Sequence, residues 1–215
     1  MADAYTVFWA SHRCGGARAS IEAGEPLTIL FGGPHQSLPS FVKAKVSAGD
    51  LVYPIAVYDQ QVFVLGRMRV REVRSFTVES TGRLFQEHVD GNPHWRFLAD
   101  SCMTEAVIGY EGTVLRLDAA VPAEILRRLT YRSQRGSRTI RHLDEHGKLL
   151  RSQSLRGIYR LTEPCANDLD AVLSQPPSSA TCCPRSARGE DATLAQKAAD
   201  AEFWRSFSTQ APSTR

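Results

Sequence analysis

The chain has 215 residues, 42% of them hydrophobic and 23% charged, with a formal net charge of +3. That is enough apolar content for one substantial core, or for a domain of about 150 residues followed by a tail, and the charge is too mild to announce a nucleic-acid binder by itself. No run approaches the roughly 18–20 apolar residues of a membrane-spanning helix, the N-terminus lacks a secretory pattern, and five scattered cysteines are no disulfide framework, so a cytoplasmic protein is expected.

Tyr5–Ala10 (YTVFWA) is rich in β-formers and predicts a first strand. The polar connection that follows contains His12-Arg13-Cys14-Gly15-Gly16-Ala17-Arg18, with a short helix or a loop after it. Leu27–Phe31 predicts a second strand, ended by Gly32-Gly33-Pro34. From Val46 to Val57 and again from Val62 to Val73, apolar residues recur at strand spacing around the turn Tyr58-Asp59-Gln60-Gln61, and Gly49-Asp50 opens the first run. Ser75–Glu79 predicts an edge strand, Gly82–Val89 a short helix and Asp90-Gly91-Asn92-Pro93 a turn. The signals from Cys102 to Tyr110 are mixed, whereas Gly112–Leu117 alternates as a strand should and Pro122 starts a helix carrying Ile125, Leu126 and Leu129. Arg138–Leu143 and Gly157–Leu161 are expected as an extended pair around a turn, with the core ending near Thr162. From Cys165 onward the chain changes character, and Ser174–Arg188, rich in Pro, Ser and small residues, predicts a disordered linker in a largely disordered tail. A short helix near Trp204 could dock a protein partner.

The order basic residue, Gly49-Asp50, apolar strand, turn, apolar strand with Gly66, then Arg-Val-Arg-Glu-Val resembles the core of the PUA-like superfamily, its EVE and ASCH domains included. The opening strand with Trp9, and the later strand followed by a Pro-led helix, are most similar to the EVE arrangement. The resemblance implies an α+β fold: a small mixed β-barrel with a few short helices over residues 1–164, followed by a tail over 165–215. It also implies binding of DNA or RNA, including recognition of a modified base.

A base reader needs aromatic walls and a few groups matched to the base edge. Trp9, Tyr53 and Trp95 are the candidate walls, and Arg13 and Arg18 beside the paired glycines are candidates for the base edge or an adjacent phosphate. From Arg127 to Arg160 ten basic residues face only Asp144 and Glu145. Within that stretch Arg132, Arg135 and Arg138 are candidate contacts to the phosphate backbone. The histidines and cysteines form no zinc-ligand spacing and no nucleotide loop is present, so neither metal nor cofactor is implied. An enzyme acting on a base with His12, Cys14 or Asp50 is the alternative, with Cys102 a further candidate nucleophile.

Overall fold

The computed structural model describes residues 2–34, 39–76, 90–99, 103–133, 136–177 and 181–182. Its centre is a strand launched by a turn. Gly49 takes φ +91°, a conformation that favours glycine. Asp50, buried beside it, accepts hydrogen bonds from the Ser47 amide (2.9 Å), the Ser47 hydroxyl (3.1 Å) and the Asp3 amide (2.8 Å). The Gly-Asp pair therefore fastens the start of β3 (Leu51–Tyr58) to the residues that lead into β1 (Ala4–Trp9). These two strands run parallel in the register Ala4–Leu51 to Trp9–Ala56.

At its far end β3 turns through Asp59 and Gln60, both at positive φ, into β4 (Gln61–Val64). The second apolar run is not one strand. It breaks at Leu65-Gly66-Arg67, where Leu115 and Thr113 occupy the place of a side chain on Gly66, and resumes as β5 (Met68–Ser75). β5 pairs with β6 (Glu105–Tyr110), in the stretch of mixed signals, and β6 pairs with β2 (Ile29–Gly32). Gly112–Leu117, expected as a strand, contributes one isolated bridge, Val114 to Pro26. A Cβ on Gly112 would come within 1.9 Å of the Leu27 carbonyl oxygen, so that segment passes too close to its neighbour for any other residue.

Arg138–Leu143 does not pair with Gly157–Leu161. Instead β7 (Thr130–Ser133) and β8 (Gly136–Thr139) form their own hairpin, and β9 (Ile158–Arg160) pairs antiparallel with β1. The main sheet runs β2-β6-β5-β3-β1-β9, with β4 alongside β3. Among the described residues no pairing joins β2 to β9. The fold is α+β, a mixed sheet with a few short helices, and the pairings among the described residues do not close it into a barrel.

Short helices cover the sheet: α1 (Ser11–Gly16), α2 (Arg18–Glu22), a 3-10 helix Pro93–Leu98, α3 (Ala123–Arg128) and α4 (Glu163–Leu173). α4 crosses the boundary expected at residue 164. Its Cys165, Ala166, Leu169 and Val172 are buried in a cluster with Tyr53, Ile55, Val64, Leu126 and Tyr131. The residues described all fall within one compact unit, Met1–Cys183. None of their helices is long and apolar enough to cross a membrane. The expected edge strand beyond Phe76, the helix at Gly82–Val89 and the helix near Trp204 lie outside the described residues.

Candidate functional site

The register of β1 against β3 decides the fate of the three expected aromatic walls. Tyr53 is level with Thr6, and Trp9 with Ala56. Paired residues share a face and alternate residues switch it, so Trp9 and Tyr53 project from opposite faces of the sheet and cannot line one pocket. Both are closed off from solvent. Trp9 is 1% exposed and meets Phe97 edge-on at 6.2 Å. Trp95 is 2% exposed, lies 6.0 Å from Phe97 and donates its indole N–H to the Pro26 carbonyl at 3.1 Å. Tyr53 donates its hydroxyl to Asp170 at 3.0 Å, and burial next to that carboxylate pushes its pKa well above the ordinary tyrosine value. All three rings pack the interior and offer no face to a base.

The loop after β1 is also rebuilt. His12 to Gly16 lie in α1 (Ser11–Gly16), and Gly16 is required because a Cβ there would fall 2.5 Å from the Phe97 ring. That glycine serves close packing, not access for an anion. Arg13 is buried and Arg18 half-buried, and both make interactions within the protein. Cys14 is buried in the same helix, its thiol directed at the Ala10 carbonyl, while His12 is exposed. Asp50 lies at the other end of β1, about 20 Å away for six strand residues. Asp50 is thus remote from His12 and Cys14, the other two candidate acid-base groups. Cys102 and Arg135 lie outside the described residues. No group of three His, Cys, Asp or Glu side chains able to hold a metal occurs among those described.

What the fold does assemble is a surface cleft of about 550 Å³, lined by Gly33, Pro34, Pro39, Ser40, Lys43, Gln153, Arg156 and Gly157. No sequence motif pointed to it, since one wall follows β2 and the other precedes β9. The first wall is held by Glu105 of β6, buried, whose carboxylate accepts the Ser40 hydroxyl, the Phe41 amide (2.7 Å) and the Val42 amide (3.2 Å). That carboxylate caps the turn that carries Lys43. The second wall is held by Gly157, at φ +137°, whose carbonyl accepts the Phe8 amide at 3.1 Å. Tyr159 in turn donates its hydroxyl to the Arg156 carbonyl at 2.8 Å.

Charge is partitioned around this cleft. Several arginines elsewhere meet carboxylates, Arg67 with Asp170, Arg69 with Glu111, Arg74 with Glu72, Arg116 with Asp118, Arg128 with Asp168 and Arg160 with Asp3, while Arg71 lies over the Tyr110 ring and Arg127 donates to the Glu145 carbonyl. Lys43 and Arg156 at the cleft, and Arg132, Arg138, Arg141 and Arg151, have no carboxylate within ion-pair distance among the described residues. All six are exposed. Arg141 is tied to the second wall of the cleft, because Ser154, in the turn that carries Gln153 and Arg156, donates its hydroxyl to the Arg141 carbonyl at 3.3 Å. Tyr159 packs on Tyr131 of β7 with ring centroids 5.2 Å apart.

No family model and no curated protein matches this chain. Among solved structures it is similar to ASCH from Zymomonas mobilis, with a TM-score of 0.37 and 8% sequence identity over 78% of this chain and 94% of that one. A tyrosine-to-phenylalanine mutant of the Zymomonas mobilis ASCH protein gives a TM-score of 0.33 and 10% identity over 64% of this chain and 90% of that one. A likeness this distant assigns neither family nor activity, and the function rests on the residues themselves.

Proposed function

We propose that this protein binds nucleic acid through its phosphate backbone, using the cleft walled by Lys43 and Arg156 and the adjoining cationic surface at Arg141 and Arg138. The observation that carries this reading is local: Lys43, Arg132, Arg138, Arg141, Arg151 and Arg156, six exposed cations on the cleft and the segments next to it, have no carboxylate partner among the described residues. Unpaired exposed guanidinium and ammonium groups in one region are the footprint of a polyanion partner, and they act locally whatever the total charge. Lys43 supplies a point charge and Arg156 a planar fork suited to two phosphate oxygens. Gln153 adds a neutral donor.

Recognition of a modified base is the finer reading. It would place a ring in the same cleft, whose described lining is Gly, Pro, Ser, Lys, Gln and Arg without an aromatic face. Such recognition would rest on hydrogen bonding and proline contact in place of stacking.

The test is a titration of short DNA and RNA, plain and with methylated cytosine, at several salt concentrations. Charge reversal at Lys43 or Arg156 is expected to lower affinity for every ligand and to reduce the slope of log K against log salt by about one for each phosphate no longer neutralised. A methyl-dependent affinity would support the finer reading. No binding to any of these at low salt would overturn the proposal.

A further inference from the structure

Two cysteines that lie more than 160 positions apart in the chain meet in the folded protein. Cys14 sits in α1 and is 1% exposed, and Cys182, at the end of the compact unit, is 2% exposed. Both are free thiols. The Cys182 thiol is hydrogen-bonded to the Cys14 sulfur, and the Cys14 thiol in turn donates to the Ala10 carbonyl at 3.7 Å. The backbone brings Cys182 there. The chain on the far side of α4 is held against Arg116-Leu117: the Arg116 guanidinium donates to the Leu173 carbonyl at 2.9 Å and to the Gln175 carbonyl, and the Cys182 amide donates to the Leu117 carbonyl at 2.7 Å. Main-chain bonding fixes Cys182 independently of its side chain, so the meeting of the two sulfurs is a property of the fold.

A single buried thiol behaves as a small apolar filler. A pair in contact differs from two fillers, because sulfurs already hydrogen-bonded need only a small side-chain rotation to reach the ~2.05 Å of an S–S bond. A structural metal takes more than two ligands, and no group of three His, Cys, Asp or Glu side chains able to hold one occurs among the described residues. The hydrogen bond with Cys14 and burial push the Cys182 thiol up, against the pull of Arg18. A thiol held in its protonated form is a poor nucleophile, which suits a structural link and not a catalytic cysteine.

We propose that Cys14 and Cys182 form a reversible disulfide that fastens the end of the compact unit to α1. The inference is independent of the nucleic-acid reading. Its co-reactant is a small-molecule disulfide, RSSR. One cysteine attacks it as the thiolate, a mixed disulfide forms and one RS⁻ leaves; the second thiolate attacks the cysteine sulfur of that mixed disulfide, closing the Cys14–Cys182 bond and releasing the second RS⁻. The two thiol protons end on two RSH, so the protein is oxidised by two electrons and RSSR is reduced by two. In a reducing compartment both cysteines stay thiols and in an oxidising one the link forms, so stability follows the surroundings.

The experiment refolds the full chain from urea in a mixture of reduced and oxidised glutathione, so that burial does not limit access. Free thiols are then alkylated and the linked peptides mapped by mass spectrometry. Native protein held in the same mixture at about pH 8.5 is a second route to the same readout. The expected product joins Cys14 to Cys182 in most molecules and leaves Cys102, Cys165 and Cys183 alkylated. Because the link closes a long loop, the oxidised chain should melt about 4 °C or more above the reduced one, and dithiothreitol should reverse the gain. That comparison uses one polypeptide in two oxidation states and needs no variant to fold. Cys183→Ser should keep the gain, and Cys14→Ala or Cys182→Ala should lose it. Cys14 and Cys182 both alkylated after either route, a link dominated by another pair such as Cys182–Cys183, or a linked form that melts no higher than the reduced one would overturn the inference.

Discussion

Asp170 is the residue whose loss should be felt most at the junction between α4 and the sheet. Its two carboxylate oxygens accept the Tyr53 hydroxyl at 3.0 Å and the Arg67 guanidinium at 2.7 Å. Tyr53 is fully buried, so Asp170→Ala leaves a hydroxyl in the interior without that acceptor, at a cost of about 1–3 kcal/mol. The Arg67 pair adds little, roughly 0–1 kcal/mol, because its side chains are 39% and 34% exposed and solvent screens them. Together these give about 1–4 kcal/mol, or a fall in Tm of about 2–4 °C for each kcal/mol in a unit of this size. Tyr53→Phe should cost less, about 0.5–1.5 kcal/mol, since Asp170 keeps Arg67 and water. The double variant should be more stable than Asp170→Ala alone, because no buried hydroxyl then lacks its partner. Urea denaturation followed by circular dichroism, with equal m-values as the check on two-state unfolding, measures all three. Asp170→Ala within about 0.5 kcal/mol of the parent, or a double variant weaker than either single, would refute the reasoning.

Ending the chain after Thr162 removes Cys165, Ala166, Leu169 and Val172 from the core, a loss on the order of 5 kcal/mol by transfer alone. Since domains are stable by about 5–15 kcal/mol, the truncated chain is expected to lose cooperative melting. Glu105→Gln replaces a buried acceptor of three hydrogen bonds with a group that must aim an N–H at donors, so a loss of about 1.5–3 kcal/mol is expected. It should also weaken nucleic-acid binding through the displaced Lys43, read by melting and by titration. Gly157→Ala is expected to lower Tm, because the residue has φ +137° and its new methyl would press on the Tyr159 ring at 3.2 Å. Burial raises the pKa of both Tyr53 and Tyr131. Above pH about 10 the unfolded chain sheds these protons before the folded one. Stability is then fully present below that pH and falls as pH rises, by about 1.4 kcal/mol per pH unit per tyrosine. The alkaline slope of a stability-versus-pH curve should shrink in Tyr53→Phe.

Local chemistry was legible where it completes itself within a few residues. Alternation marked β1, β3 and the two halves of β4 and β5, Gly49-Asp50 marked the turn before β3, and Pro122 marked the start of α3. The pairing of β9 with β1, more than 150 residues away, was not legible, because an apolar run shows that a strand exists and not which neighbour takes its hydrogen bonds. α4 was hidden for a related reason. Glu163–Leu173 is short and mixed in character, and only the presence of Tyr53 and Leu126 beneath it makes Leu169 and Val172 core residues.

The same division runs through the site. The amino-acid sequence alone determined that this is an α+β chain with an excess of cations between Arg127 and Arg160, since type and count are properties of the residues. Only the tertiary structure decided which of those cations are spent internally. Arg128 finds Asp168 forty positions later and Arg160 finds Asp3 at the other end of the chain, while Arg132, Arg138, Arg141 and Arg156 meet no acid among the described residues. Tertiary structure likewise turned Trp9, Tyr53 and Trp95 from candidate walls into core, because strand register sets the face on which a ring emerges and packing sets whether water reaches it.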